Sequence, residues 1–268
     1  MSITDTETII GDVAVRAVGG HVALVEIRRA PNNFFDVELI RSLADAFALI
    51  DADGDLRASV LAADGKHFCA GANFGSAADS EERATRSVDA PNQLYQAAVQ
   101  LFRNRKYVVA AVQGAAVGGG FGLSMFPDFR VACPEARFTA NFVKLGFTPG
   151  FGLTTVLPRV IGMQAASELF ATGRRIGGEE AAALGIVDRL VPREEVREAA
   201  IAFAREIAEN APLALLSLRE QLRGDLADAV QAATDREHVE QFRLQRTEDY
   251  AEGVRAVAER RVGDFQGR

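Results

Sequence analysis

The stretch AAVGGGFGLSMFPD, residues 115–128, places three consecutive glycines between an apolar run and an amphipathic segment. The preceding residues, YVVAAVQG (107–114), are typical of a buried strand. Glycine allows the backbone to approach a neighbour closely and to adopt angles that other residues avoid. The stretch therefore predicts a strand-to-helix turn whose bare backbone lies against a ligand or against another part of the chain.

Three familiar glycine motifs do not fit this stretch. A phosphate-binding P-loop needs a lysine after its last glycine, and none follows Gly114 or Gly119. The glycine spacing also differs from a dinucleotide fingerprint, and Ser124 lacks the flanking glycines of a nucleophile elbow. Two interpretations stay open: N–H groups at a helix start that face an anion or a developing oxyanion, or a tight turn without a ligand.

Composition limits the functional classes. The 268 residues are 48% hydrophobic and 25% charged, as in ordinary globular proteins, and the net charge of −7 argues against binding to nucleic acid or anionic membranes. The two cysteines, Cys69 and Cys133, form neither a disulfide framework nor a zinc motif. The first ten residues lack the features of a signal peptide. We therefore expect a cytoplasmic protein without a bound metal.

Hydrophobic patterning predicts a largely parallel sheet. Short apolar runs at 58–63, 107–112 and 129–133 are separated by helical patterns, which is typical of βαβ units. HVALVEIR (21–28) alternates and predicts a strand with one solvent-facing side, and Asp36 is a candidate N-cap for the helix that follows.

Other segments predict a loop, a buried turn and a helical C-terminal part. Residues 73–93 predict a loop that opens a helix and serves as a lid. The uncharged segment 107–127 is nearly long enough to span a bilayer, but its glycines and Pro127 favour a strand, a turn and a helix. From Gly162 onward the pattern is almost wholly helical. We expect an α/β core over 1–190 and helices over 191–268 that pack on the core or on another subunit.

A second glycine-containing stretch, GKHFCAGANF (65–74), follows the strand predicted at 58–63. Together with the glycine run it resembles the crotonase superfamily, the enoyl-CoA hydratase/isomerase family. The resemblance continues in order through VKLGFTPGFGLTTVLPRVIG, ATGRRIGGEEAAALGIVDRLVP and DYAEGVRAVAERRVGDFQG, and so covers nearly the whole chain.

The resemblance implies a fold, a ligand and an oxyanion hole. The fold is α/β, the crotonase (ClpP-like) ββα spiral core, with a helical C-terminal trimerisation part that yields a trimer or a dimer of trimers. The ligand is an acyl-CoA thioester, and coenzyme A enters only as part of this substrate, with no separate cofactor. In this family two backbone N–H groups bind the thioester oxygen, and they match Ala72 and Gly119 here.

Further site residues follow from the same resemblance. One group is expected near the acyl group and pantetheine. The other, at the C-terminus, is expected near the CoA phosphates of the same subunit or of a neighbouring one. The first group is Ala70, Asn73, Phe74, Gly75, Gly118, Gly122, Phe142 and Gly150, and the second is Arg260, Arg261 and Phe265.

The chain departs from the hydratase pattern where protons move. The two hydratase glutamates would fall at Gly122 and Phe142, and the acid of some isomerases and a dehalogenase would fall at Gly150. Glycine and phenylalanine cannot transfer protons, so the carboxylate pair expected for acid–base catalysis is missing at these positions. His238, on a predicted helix, is a candidate by analogy with some decarboxylating relatives.

The resemblance and the departures together predict an acyl-CoA enzyme of this family that retains the oxyanion hole and lacks the usual glutamates. Its reaction is a decarboxylation, or a hydration or isomerisation with a displaced acid. A non-catalytic acyl-CoA carrier is the alternative. The sequence also predicts that installing glutamates at Gly122 and Phe142 would raise hydration of a short enoyl-CoA.

Overall fold

The computed structural model describes residues 3–72 and 87–268. The strands are β1 Thr8–Ile10, β2 Val13–Ala17, β3 Val22–Ile27, β4 Ala58–Ala63, β5 Tyr107–Val112, β6 Ala115–Val117, β7 Phe129–Ala132, β8 Arg137–Thr139, β9 Arg175–Gly177 and β10 Arg189–Leu190. The α-helices are α1 Val37–Ala52, α2 Gln93–Phe102, α3 Gly119–Met125, α4 Leu153–Ile161, α5 Met163–Thr172, α6 Gly178–Ala183, α7 Val196–Ala208, α8 Pro212–Arg223, α9 Leu226–Leu244 and α10 Glu248–Ala258. Short 3₁₀ helices lie at Asn141–Leu145 and Arg193–Glu195.

Seven strands form one sheet in the order β1-β2-β3-β4-β5-β7-β10. The pairs from β3 to β10 are parallel, and β1 and β2 are antiparallel additions at one edge. A smaller sheet has the order β6-β8-β9. The largely parallel sheet expected from the sequence is thereby confirmed, and two of its strands match the apolar runs at 58–63 and 107–112 to the residue.

The helix predicted after Asp36 is also confirmed. The Asp36 carboxylate accepts a hydrogen bond from the Leu39 N–H at 2.9 Å, as an N-cap does. The apolar side of α1 packs on β1, β2 and β3, and α7 packs on the sheet across β3, β4, β5 and β7. Helices therefore cover both faces of the sheet, as parallel strands require.

One sequence expectation is wrong, and a second is incomplete. The strand at 21–28 does not have a solvent-facing side, because α1 and α7 cover both faces of β3 and all six of its residues are buried. Its one charged residue, Glu26, is buried with ion pairs to Arg28 and Arg197. The part after Gly162 is not wholly helical, since β9 and β10 lie within it. Strands of two or three residues are too short to produce a readable periodicity.

The C-terminal helices differ in how they are covered. Helix α7 packs on the sheet, whereas Arg219 is the only buried residue of α8.

Segment 107–127 forms β5, β6 and α3, the strand, turn and helix that the sequence favoured. In the part of the chain that the structure describes, no helix combines the length and apolar character needed to cross a bilayer.

Candidate active site

The two glycine-containing segments are joined by a parallel bridge between Cys69 and Ala116. The Cys69 N–H donates to the Ala115 carbonyl at 3.0 Å, and the Val117 N–H donates to the Cys69 carbonyl at 3.0 Å. This pair of hydrogen bonds brings the backbone that continues to Ala72 beside the backbone that continues to Gly119. The bridge joins residues almost fifty positions apart, and their pairing has no local signal in the sequence.

Glycine is required at two points of this junction. Gly71 has φ +83°, and a β-carbon there would lie 2.6 Å from the Val117 carbonyl oxygen. A β-carbon at Gly120 would lie 2.1 Å from the Cys69 carbonyl oxygen. Within the described residues, the N–H groups of Ala72 and Gly119 donate to no other group. The junction therefore leaves two backbone donors available on neighbouring segments.

Two side-chain amides, one buried and one half-buried, hold the turn that leads into this junction. Asn33, which is fully buried, donates from Nδ2 to the carbonyls of Asp64 (2.8 Å) and His67 (2.7 Å). Gln113 donates from Nε2 to the carbonyls of Ala63 and Gly65 at 3.0 and 3.1 Å. Buried carbonyls in an irregular turn need such partners. Sequence reasoning missed both residues, because a single Asn or Gln in a loop carries no distinctive pattern.

A cavity of about 1040 Å³ opens at the junction. Six of the residues predicted for the site lie on its wall: Ala70, Ala72, Gly118, Gly119, Phe142 and Gly150. The cavity is also lined by Phe35, Leu94, Phe147, Phe151, Val254 and Val257, so much of its surface is apolar. Cavities of this size and character are typical of small-molecule sites.

The other predicted residues are placed differently. Asn73, Phe74 and Gly75 lie outside the described residues, as does most of the predicted lid. Gly122 is not on the cavity wall: a β-carbon there would meet the Phe151 side chain at 3.0 Å, so Phe151 stands between this position and the cavity.

The three C-terminal residues lie just beyond the part of α10 that lines the cavity. Arg261 forms ion pairs with Glu252 and Glu259, and Phe265 is partly exposed. Arg260 is exposed in the turn that follows the same helix. The group lies near the rim of the cavity, but the charge of Arg261 is already paired with two glutamates of this chain.

Phenylalanines shape the cavity around Gly119. A β-carbon at this position would lie 2.1 Å from Cζ of Phe35, so the Phe35 ring packs directly on the glycine. Phe35 also packs on Phe151, with ring centroids 5.5 Å apart. Phe142 and Phe147 form an edge-to-face pair at 5.5 Å. Phe121 does not line the cavity and packs on Phe138 in the core, with ring centroids 5.5 Å apart.

Several ionisable residues near the site have structural partners. Asp36 caps α1 and pairs with Arg29 at 2.7 Å, although both line the cavity. Burial raises the pKa of the Cys69 thiol to about 12, so the thiol stays protonated and is a poor nucleophile. His238 lies within hydrogen-bonding distance of the Asn92 amide (3.3 Å) and the Val88 carbonyl (3.2 Å), and it is not a wall residue.

One polar network does reach the cavity. Tyr95 on α2 donates from its hydroxyl to Oε1 of Gln241 on α9 at 2.8 Å, and Nε2 of Gln241 donates to the Thr148 carbonyl at 2.8 Å. A β-carbon at Gly150 would lie 2.2 Å from the Tyr95 oxygen and 2.6 Å from Nε2 of Gln241. These two side chains therefore fill the space that a side chain at position 150 would need.

Comparison of the sequence with known proteins identifies one family. The sequence profile of the enoyl-CoA hydratase/isomerase family matches residues 18–268. A putative enoyl-CoA hydratase from Thermus thermophilus is 35% identical over 264 residues, which cover 94% of this chain and all of that protein. The chain belongs to the enoyl-CoA hydratase/isomerase family.

Solved structures extend this assignment. An enoyl-CoA hydratase/isomerase from Pseudoalteromonas atlantica superposes with a TM-score of 0.80 at 25% identity, covering 95% of this chain and all of that one. The ECH2 decarboxylase domain of CurF from Lyngbya majuscula has the same TM-score at 23% identity, covering 92% and 99%, and shares the fold alone. The protein is thus an enzyme of the enoyl-CoA hydratase/isomerase family with the crotonase fold.

Proposed function

We propose that the protein acts on an acyl-CoA thioester whose carbonyl oxygen lies between the N–H groups of Ala72 and Gly119. The observation that supports this is the Cys69–Ala116 bridge, which brings the two backbone segments together at the wall of the cavity. Two donors fixed in this way would stabilise the negative charge of a thioester enolate without reorganisation. Loss of one such donor typically costs a factor of about 10² to 10³ in rate.

The acyl part of the proposed ligand lies in the cavity, and its coenzyme A part extends to the rim. The acyl group lies against Phe142, Phe147 and Gly150, and the pantetheine passes Ala70 and Gly118. We keep Asn73, Phe74 and Gly75 as proposed contacts to coenzyme A, and Arg260, Arg261 and Phe265 as proposed contacts to its phosphates.

The reaction is one that needs an enolate but not the two hydratase glutamates. Decarboxylation meets this condition, because the bond to the departing carbon dioxide leaves its electron pair on an enolate that the two N–H groups stabilise. Hydration or isomerisation remains the second candidate, with proton transfer by a group other than residues 122 and 142. We also propose a homo-oligomer, a trimer or a dimer of trimers, and the cytoplasmic location stays a prediction.

The oxyanion hole is tested with 4-(dimethylamino)cinnamoyl-CoA, whose absorbance moves to longer wavelength when its thioester carbonyl accepts strong hydrogen bonds. We expect saturable binding with a red shift, and competition by butyryl-CoA. Binding without a red shift would contradict the role of Ala72 and Gly119. No binding of either ester would contradict the acyl-CoA assignment itself.

A panel of enoyl-, 3-hydroxyacyl- and malonyl-type CoA esters then identifies the reaction. We expect turnover of at least one class, with carbon dioxide release or a change in enoyl absorbance as the readout. Tight binding of esters without turnover of any of them would favour the carrier alternative.

A further inference from the structure

A carboxyl group on α9 caps the start of helix α4. The N-cap residue of α4 is Gly152, which has no side chain to accept hydrogen bonds from the first turn. Glu237 supplies the acceptor instead. Its Oε2 accepts from the Gly152 N–H at 2.9 Å, and its Oε1 accepts from the Thr154 hydroxyl at 2.6 Å and the Thr154 N–H at 3.4 Å. The start of α4 is thereby tied to α9.

This contact is more costly than an ordinary helix cap. Glu237 is buried, and burial raises the pKa of its carboxyl group against the hydrogen bonds from Thr154 and Gly152, which lower it. A polar side chain at the N-cap position itself would satisfy the same donors without burying an acid. An acid on another helix does what a local cap cannot do, because it fixes the position of α4 relative to α9.

The residue next to this attachment has an unfavourable backbone conformation. Phe151 is buried and has φ +62°, a left-handed angle that a bulky residue keeps only where its surroundings hold it. Glu237 holds the N–H group of Gly152, which directly follows Phe151. The direction of the Phe151 side chain therefore depends on the contact with Glu237.

Phe35 links Phe151 to both segments of the proposed oxyanion hole. The rings of Phe35 and Phe151 have centroids 5.5 Å apart. The Phe35 ring packs on Gly119, where an added β-carbon would lie 2.1 Å from Cζ of Phe35. The Phe35 N–H donates to the Gly71 carbonyl at 3.1 Å, one residue before Ala72. One residue thus contacts both segments whose N–H groups are proposed to bind the thioester oxygen.

We propose that Glu237 is a positioning residue for the oxyanion hole and acts through Phe151 and Phe35. Glu237 is not a wall residue of the cavity, so its role is not to contact the ligand. Closely packed side chains transmit a displacement to their neighbours, and an oxyanion donor is effective only when it is aimed at the oxygen. The inference rests on the proposed function of Ala72 and Gly119 and names the residue that maintains their geometry.

The test compares butyryl-CoA with S-butyl-CoA, a thioether in which a methylene group replaces the thioester carbonyl. The ratio of their dissociation constants, measured by calorimetry, reports the hydrogen bonds to the carbonyl oxygen. An amide at position 237 has one acceptor oxygen and cannot replace both carboxylate oxygens. We expect Glu237→Gln to reduce the wild-type preference for the ester by about three- to tenfold, as for the loss of one neutral hydrogen bond. The red shift of bound 4-(dimethylamino)cinnamoyl-CoA should decrease in parallel.

Two further variants assign the effect to this contact. Glu240→Gln is the matched control, because it makes the same change on the same helix at an exposed carboxylate that pairs with Arg243. It should keep the wild-type preference and the full red shift. Thr154→Val removes one donor to Glu237 and leaves the acid in place, so it should give a smaller loss of the same kind. Circular dichroism checks that each variant is folded.

The outcomes separate the positioning role from the proposed function. If no CoA ester binds the wild type, or if the bound cinnamoyl ester shows no red shift, the proposed function fails. If the wild type prefers the ester and folded Glu237→Gln keeps that preference, the positioning role is refuted while the proposed function stands. Equal losses of affinity for ester and thioether would also refute it, since Glu237 would then only support the cavity wall. If Glu237→Gln does not fold, an unchanged preference in Thr154→Val refutes the role instead.

Discussion

Phe151 occupies the space through which a side chain at position 122 would reach the cavity. It is buried at the cavity wall and has φ +62°, a left-handed conformation that is strained for a bulky residue. A β-carbon at Gly122 would lie 3.0 Å from Cβ and 3.1 Å from Cδ1 of Phe151. The glycine at 122 and the phenylalanine at 151 are therefore a matched pair, and a larger residue at 122 clashes with Phe151 unless residue 151 becomes smaller.

This pairing changes the design of a hydratase variant. Gly122→Glu with Phe142→Glu should fold poorly, because overpacking against Phe151 adds about 1–3 kcal/mol of destabilisation. Adding Phe151→Gly removes the clash and suits the left-handed backbone, so this triple variant should regain a cooperative unfolding transition. We expect it to hydrate crotonyl-CoA faster than the wild type, measured by the loss of enoyl absorbance.

Phe151→Gly alone is the matched control, since it opens the same space without carboxylates. It should show no more hydration than the wild type. A folded triple variant with no gain in hydration would contradict the idea that proton transfer is what this cavity lacks.

At this scale the sequence indicated candidate backbone positions but no side-chain network of the cavity. Ala72 and Gly119 were assigned through the resemblance to the family, and the local pattern of small residues agrees with them because close backbone approach needs glycine or alanine near the contact. Tyr95 and Gln241 are 146 positions apart and meet only through the packing of α2 on α9. No local pattern marks either residue as a partner of the other.

Helix α8 is attached to the core by a buried charge cluster. Asp128 accepts from the Arg219 guanidinium at 3.0 Å, forms an ion pair with Arg223, and accepts from the Val108 N–H at 2.9 Å. Burial alone would raise the pKa of Asp128, but the charges of Arg223 and Arg219 outweigh it and lower this pKa. No local sequence pattern links Asp128 to Arg219 and Arg223, which lie 91 and 95 positions later.

Asp128→Asn should destabilise the protein by about 3 kcal/mol at about pH 7, because two arginine charges lose a buried partner. The sign of the pH dependence follows from the lowered pKa of Asp128. Its contribution is complete above its unfolded value of about 3.9 and is lost as pH falls through the folded value. The difference between wild type and variant in urea-induced unfolding should therefore narrow below about pH 4.

Asp225→Asn is the matched control for Asp128→Asn. Asp225 forms an exposed ion pair with Arg159, and such pairs contribute little in water. We expect its unfolding curves to stay close to the wild type throughout. Equal losses for both variants, or a gap at Asp128 that does not change with pH, would contradict the assigned role of the cluster.

Strands and helices are the scale at which the sequence was most informative. The apolar runs of β4 and β5 predicted their bounds because strands buried on both faces of a parallel sheet are continuously apolar. Helices also cover both faces of β3, so its alternating pattern was misleading. Glu26 is buried there, and its charge is compensated by ion pairs with Arg28 and Arg197. The Cys69–Ala116 bridge could not be predicted, because single-residue pairing leaves no periodic signal.

The whole molecule leaves one helix largely uncovered. Helix α8 contains five leucines, yet its only buried residue is Arg219. Leu213 is 80% exposed and Leu222 is 69% exposed. Clustered exposed leucines are costly for a monomer and typical of a surface that another protein covers. A second copy of this chain, as the proposed homo-oligomer supplies, would bury them.

Leu213→Glu combined with Leu222→Glu should therefore weaken association. We expect the wild type to sediment as a trimer or hexamer and the double variant to shift towards the monomer, because buried glutamates at an interface carry a desolvation cost. The circular dichroism spectrum should be unchanged, since neither leucine packs in the core. Ile9→Glu, which places a single new charge at the exposed edge strand β1, should keep the wild-type mass. A monomeric wild type, or a double variant of unchanged mass, would show that the leucines of α8 do not join copies of this chain.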